Sequence, residues 1–148
     1  MDYIYERKIN YYETDKMGVV HHSNYIRFLE EARCYFLEYL NFSYSEFEKL
    51  GVGIPVTNVD VSYKTPVTYN DTICIKVYIK NYTGVRLTVG YDVTDKKTGL
   101  TVITAETKHC FTSSDLRPVN LKKYSEEFHT KYTNLVKEYT SQKTLLKN

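Results

Sequence analysis

Apolar and polar residues alternate along this chain with a period that shifts between two and about 3.6, and each shift marks a change of element. Tyr3, Tyr5, Ile9 and Tyr11 fall on alternate positions, interrupted by Arg7, which predicts a strand with one wet face. From Ser23 the spacing becomes helical, with Tyr25, Phe28, Leu29, Ala32, Phe36, Tyr39 and Leu40 at three- and four-residue steps. No Gly or Pro interrupts this run before Asn41, so the predicted helix is roughly 25 Å long. Ser23 is the residue expected to cap it. Tyr44 to Leu50 reads as a short second helix stopped by Gly51 and Gly53.

Beyond that point the period returns to two. Ile54 to Val67 is extended, with Pro55 and Pro66 marking its ends as edges or bulges. Ile73, Ile75, Val77 and Ile79 share one face of a strand, and Val85, Leu87, Val89, Tyr91 and Val93 share one face of the next. A third, from Leu100 to Thr112, alternates less cleanly, with Ile103, Ala105, Thr107 and Phe111 against Glu106 and Lys108. Tyr82-Thr83-Gly84 and Lys96-Lys97-Thr98-Gly99 are short enough to make antiparallel hairpins. After Pro118 a helical stripe resumes at Tyr124, Phe128, Tyr132, Leu135 and Tyr139, opposite a Lys-rich face, with the last eight or so residues expected to fray. The order of strand, long helix and four strands predicts an α+β fold, one helix on an antiparallel sheet.

Length and charge narrow the function classes. One hundred and forty-eight residues suit a single domain with its own core. Twenty Lys and Arg against 18 Asp and Glu give a net charge of +2, which argues against a general polyanion or nucleic-acid binder. Cys34, Cys74 and Cys110 are odd in number and contain no CxxC pair, so they read as thiols of a reducing compartment. The first ten residues lack the charged and apolar regions of a signal peptide, and no apolar run approaches a membrane span. A cytoplasmic location is expected. Sixteen Tyr without a Trp is read as sheet composition rather than as ligand stacking.

The candidate chemistry is concentrated in Tyr11 to Arg33, YYETDKMGVVHHSNYIRFLEEAR. Asp15 lies shortly before Gly18-Val19-Val20-His21-His22, and a helix starts immediately afterwards. A carboxylate beside backbone N–H groups at a helix N-terminus can attack an activated carbonyl, or deprotonate water for that attack, while the amides receive the developing oxyanion. Gly18 is expected to permit the turn that brings Asp15 back over the helix start. Val20 and His21 are the expected oxyanion or substrate-binding positions, together with Tyr25, which is expected to line the substrate pocket or bond the substrate. His22 is expected to orient Asp15 or the water, or to protonate the leaving group. His21 and His22 lack the further ligands that would make them a metal site. Glu30 and Arg33 read as an ion pair or a helix–sheet contact.

The pattern Tyr-x-x-Thr-Asp-x-x-Gly-Val-Val-x-His-x-x-Tyr, with Glu30 and Arg33 following, resembles the hotdog-fold acyl-CoA thioesterases of the 4-hydroxybenzoyl-CoA thioesterase type, particularly the subgroup associated with the bacterial Tol–Pal cluster. The resemblance covers roughly Tyr3 to Pro118. It implies an antiparallel five-stranded sheet wrapped around one long helix, residues 1–119 forming the thioesterase domain and residues 120–148 a C-terminal helical extension of it. It maps the catalytic carboxylate onto Asp15 and the active-site histidine onto His22. It also implies an acyl-CoA substrate or an acyl carrier protein ester, no cofactor beyond the coenzyme A of the substrate, and a homodimer with the site between protomers, two dimers pairing further. The basic residues expected for the coenzyme A phosphates are not reproduced where Gly84 and Val85 stand, which leaves Arg86 and Arg117 as the candidates. A hotdog dehydratase and a non-catalytic acyl-CoA- or acyl-carrier-protein-binding module are the alternatives.

Overall fold

A computed structural model describes residues 3–147. Strands β1 (Tyr3–Lys8), β2 (Val56–Tyr63), β3 (Thr72–Tyr82), β4 (Arg86–Asp95) and β5 (Thr101–Cys110) form one antiparallel sheet in the order β1-β3-β4-β5-β2. Among the described residues there are three α-helices: α1 (Asn24–Tyr39), α2 (Tyr44–Leu50) and α3 (Glu126–Lys147).

Most of the predicted stripe of α1 becomes its buried face: Tyr25, Phe28, Leu29, Ala32 and Phe36 are buried, joined by Leu37, whereas Tyr39 at the helix end is half exposed and Leu40 lies just past it. Ile73, Ile75, Val77 and Ile79 are buried on the alternate positions of β3. Burial of each large apolar side chain contributes about 1.5–3 kcal/mol, so helix and sheet hold each other in register. On β4 the opposite face must accept a ring: Tyr78 pairs with Gly90, and a Cβ at residue 90 would lie 2.2 Å from the Tyr78 ring. Only glycine fits beneath that tyrosine.

Arg7 occupies an inward position of β1 rather than interrupting it. Its guanidinium lies 4.0 Å over the Phe28 ring and pairs with Glu13 at 2.5 Å and Glu31 at 2.6 Å. Tyr11 does not continue the strand. It enters a 3-10 turn, Tyr11–Glu13, and is exposed. Thr107 and His109 take buried positions on β5, which is why that strand alternates less cleanly.

The C-terminal helix is longer than α1, 22 residues against 16, and runs through Lys147 where fraying was expected. Tyr124 precedes it, but Phe128 and Tyr132 enter the core, their rings about 5.0 Å from Phe47 and Phe42 respectively. Further along, Tyr139 stacks on Tyr78 at 4.9 Å. No described helix is long and apolar enough to cross a membrane.

Candidate active site

The motif folds as a small hairpin that delivers the chain into α1. Asp15 N–H donates to Val19 O at 2.9 Å and His21 N–H to Glu13 O at 3.0 Å, so residues 13–15 and 19–21 form its two arms. At the tip, Gly18 N–H donates to Asp15 O at 2.9 Å with φ of +82°, a left-handed conformation that an L side chain resists. The Asp15 carboxylate is held there: its Oδ1 accepts from Met17 N–H at 2.8 Å. Val20 N–H donates across to Val67 O at 2.9 Å and ties the second arm to the segment after β2.

Ser23 does not cap α1 with its side chain. Its hydroxyl instead meets His21 Nδ1 at 2.8 Å, and that nitrogen also accepts from Ser23 N–H at 3.2 Å. Two donors on Nδ1 place the imidazole proton on Nε2. The amides of Val20 and His21, expected to serve an oxyanion, are thus committed to carbonyls. The next amide, that of His22, has no acceptor among the described residues.

Asp15, Met17, Val19, Val20, His22 and Tyr25 share one open cleft of about 280 Å³, closed from the other side by Tyr63, Lys64, Thr65, Pro66 and Val102. His22 is exposed, its ring 4.2 Å from that of His21. Tyr25 is buried and stands edge-on to Tyr63 at 5.7 Å. Burial, with a smaller contribution from Tyr63, pushes the Tyr25 phenol up to about 12, so it remains a neutral donor. Tyr63 escaped the sequence reading. Its hydroxyl donates to His22 O at 3.1 Å, fastening the end of β2 to the motif hairpin. An aromatic residue at the end of a strand carries no sequence signal that separates this role from sheet packing.

Arg86 and Arg117 lie elsewhere. Arg86 pairs with Cys110 at the far end of β5, and Arg117 sits in the exposed turn that follows. Val102, which lines the cleft, is eight residues from Cys110 along the strand, roughly 26 Å. Neither arginine lines the cleft of its own chain.

A second polar constellation is wholly internal. Arg33, 8% exposed, donates from Nε to Tyr44 Oη at 2.8 Å and from Nη1 to Tyr91 Oη at 3.0 Å. Of the two readings of Arg33 this is the helix–sheet contact, while Glu30 is exposed. Tyr91 Oη meets Thr107 Oγ1 at 2.7 Å, Thr107 meets His109 Nε2 at 2.7 Å, and His109 Nδ1 meets Ile54 O at 3.3 Å. A carbonyl only accepts, so Nδ1 carries the proton and the direction of the whole chain follows. Burial, and then the Arg33 charge, depress His109 to about 4. Among the described residues no cluster of three His, Cys, Asp or Glu side chains is placed to hold a metal.

The model of the thioesterase-like superfamily matches residues 9–137. The chain belongs to this superfamily. Within it, the Bacillus subtilis protein YneP, provisionally named an acyl-CoA thioesterase, is 32% identical over 127 residues, covering 86% of this chain and 92% of YneP. The Escherichia coli acyl-CoA thioester hydrolase YbgC is 31% identical over 80 residues, 54% of this chain and 60% of that protein. Among solved structures, the DHNA-CoA thioesterase of Staphylococcus aureus superposes with a TM-score of 0.88 at 32% identity, covering 95% of this chain and 94% of that one. The five-stranded sheet with its packed helix is the hotdog fold of these thioesterases, and the superfamily match spans the hairpin, the cleft and the first part of α3.

Proposed function

We propose that the chain hydrolyses acyl-CoA thioesters to the free acid and coenzyme A, with Asp15 as the reacting carboxylate. The observation that carries this reading is that Asp15 and His22, whose amide has no acceptor among the described residues, border one cleft at the start of α1. A thioester carbonyl bound there would turn its oxygen toward the His22 N–H. The carboxylate then attacks the carbonyl carbon or takes a proton from the water that does so, and the thiolate departs as the carbonyl re-forms. One oriented amide is worth about 2.7–4 kcal/mol to such a transition state. The His22 imidazole orients the carboxylate or water. Tyr25 and Tyr63 form an aromatic wall for the acyl group. An acyl carrier protein ester presents the same thioester and remains within this chemistry. We assign the chain to the 4-hydroxybenzoyl-CoA thioesterase type, near its Tol–Pal-associated subgroup, on the motif from Tyr11 to Tyr25.

The reading extends to a homodimer. Among the described residues β2 lies at the sheet edge, pairs only with β5 and leaves Val56, Val59 and Tyr63 exposed. An open edge of eight residues is a template for another strand. Two β2 edges paired about a two-fold axis would set the Val56 end of one strand beside the Tyr63 end of the other. The partner subunit's Arg86 and Arg117 would then approach this cleft, where coenzyme A phosphates need cations. Dimers can pair again through their remaining surfaces. Residues 120–148 are an extension of the same domain, since Phe128 and Tyr132 enter its core. The chemistry suits the cytoplasm, where coenzyme A esters are made and used.

Release of free thiol across short, long and aromatic CoA esters tests the activity. Hydrolysis of at least one class is expected. A dehydratase would instead change the absorbance of an enoyl ester, and a binding module would do neither. Sedimentation at micromolar concentration is expected to give a dimer, and a clean monomer would remove the shared-site arrangement.

A further inference from the structure

A charged, buried arrangement stands at the base of the hairpin, made of residues that do not line the cleft. Glu13 is 5% exposed, and its carboxylate Oε1 accepts from Arg7 Nη1 at 2.5 Å and from Asn10 N–H at 2.8 Å. Its carbonyl accepts twice more, from His21 N–H at 3.0 Å and from the Asn24 Nδ2 at 2.8 Å. Asn24 opens α1, and its own N–H donates back to His21 O at 3.0 Å. Arg7 is fixed in turn by Glu31 on α1 and by the Phe28 ring beneath it.

A buried ion pair is weak evidence for stability, because desolvation offsets much of its attraction. What such a pair does supply here is a fixed junction. One residue, Glu13, joins strand β1, both arms of the hairpin and the first turn of α1. Glu13 stands two positions from Asp15, and its partner His21 stands one position from His22. Any slip at the junction moves the carboxylate relative to the amide that faces the same carbonyl.

We propose that Arg7, Glu13 and Asn24 form a positioning clamp that sets the Asp15 carboxylate against the His22 amide. None of the three lines the cleft, so they act through Asp15 and His22 rather than on substrate. The inference rests on the thioesterase reading for its consequence in turnover, but its geometric part stands apart from that reading. Misplacement of reacting groups by about 1 Å costs on the order of a hundredfold in rate. Loss of one clamp bond is a smaller disturbance, and about a tenfold fall in kcat is expected.

Asn24→Asp separates positioning from stability. It removes the Nδ2 donor and sets a carboxylate against Glu13 O, yet an acid in the first turn favours the helix. In the full chain, Asn24→Asp and Asn24→Ala should each lower kcat about tenfold, leave KM within about twofold, and Asn24→Asp should keep the thermal midpoint of the wild type. Wild-type kcat in either variant would overturn the clamp, and so would a fall in kcat matched by loss of folded protein. A second readout needs no turnover. Met17 N–H bonds the Asp15 carboxylate, so its amide resonance reports where that carboxylate sits. Asn24→Asp should shift the Met17 and His22 amide resonances while leaving those of the later turns of α1 in place. Unmoved resonances would overturn the inference even if no CoA ester proved to be a substrate, and a wild type that releases no thiol would sink the thioesterase reading alone.

Discussion

His22 and His109 stand on the same fold with opposite surroundings. His109 is buried in a chain of hydrogen bonds in which both ring nitrogens are engaged, and it ends on the carbonyl of Ile54. His22 is exposed beside an open cleft, and its amide has no acceptor among the described residues. The interior chain spends its polar groups on one another and thereby fixes how α1, β4 and β5 meet. The loop leaves hydrogen-bonding capacity on a residue that borders an open cleft. Satisfied polar groups build the scaffold, and unsatisfied ones at a cleft are available for chemistry.

The largest expected effect tests the open side of this contrast. Asp15→Asn preserves the side-chain shape and an oxygen for Met17 N–H but removes the charge proposed to attack or to accept a proton. Turnover of the best CoA ester should fall about a hundred- to ten-thousandfold, with the circular dichroism spectrum and assembly unchanged. Near-wild-type kcat would take Asp15 out of the reaction.

The interior side predicts an acid dependence of stability. In the folded chain His109 remains neutral down to about 4, whereas the unfolded chain takes up that proton below about 6.5. Between those values the unfolded state binds more protons, so stability falls as pH falls, by at most about 3 kcal/mol, and this contribution is flat above the window. Urea midpoints at pH 7, 5.5 and 4.5 would measure the slope. His109→Gln can still accept from Thr107 and donate to Ile54 O, and it should flatten the curve. Parallel curves for the two proteins would remove His109 as its origin.

Tyr91→Phe makes a narrower test in the same region. It deprives Arg33 Nη1 and Thr107 Oγ1 of a shared partner at little change in volume. Stability should drop by about 1.5–3 kcal/mol, since one lost bond involves a charged group. The KM for CoA ester should stay near the wild-type value, because Tyr91 does not border the cleft. A selective change in KM without loss of stability would mean that the two regions are coupled.

The contrast also marks what the chain discloses in one dimension. The strand β3 was legible because Ile73, Ile75, Val77 and Ile79 alternate without exception, and α1 because its apolar positions recur every three or four residues. Both patterns are local, and local periodicity is what a sequence displays. Asp15, His22 and Tyr25 stood in one compact motif, and all three border the cleft. Tyr63 and Lys64 reach the same cleft from a strand about forty residues away in sequence, which no spacing rule anticipates. Arg7, Arg33 and His109 are polar residues at positions where the period calls for apolar ones. That conflict was visible as an interrupted β1 and an irregular β5. Its resolution required partners from other elements, such as Tyr91, 58 residues from Arg33. Ser23 illustrates the reverse case: a common capping residue is present, but its hydroxyl bonds the His21 imidazole rather than an amide of the helix.

The smallest effect is expected at His22, and it sharpens the division within the open site. His22→Ala removes the imidazole but retains the backbone N–H proposed to meet the oxyanion. If the amide and the Asp15 carboxylate carry the reaction, the variant should lose about tenfold in kcat, well short of Asp15→Asn. A thiolate leaves readily without prior protonation, so the missing imidazole costs orientation rather than a required proton. The two variants should be compared on the same ester, with kcat and KM resolved separately. A loss at His22 equal to or larger than that at Asp15 would reverse the assignment, making the imidazole the group that handles the proton and the carboxylate its support.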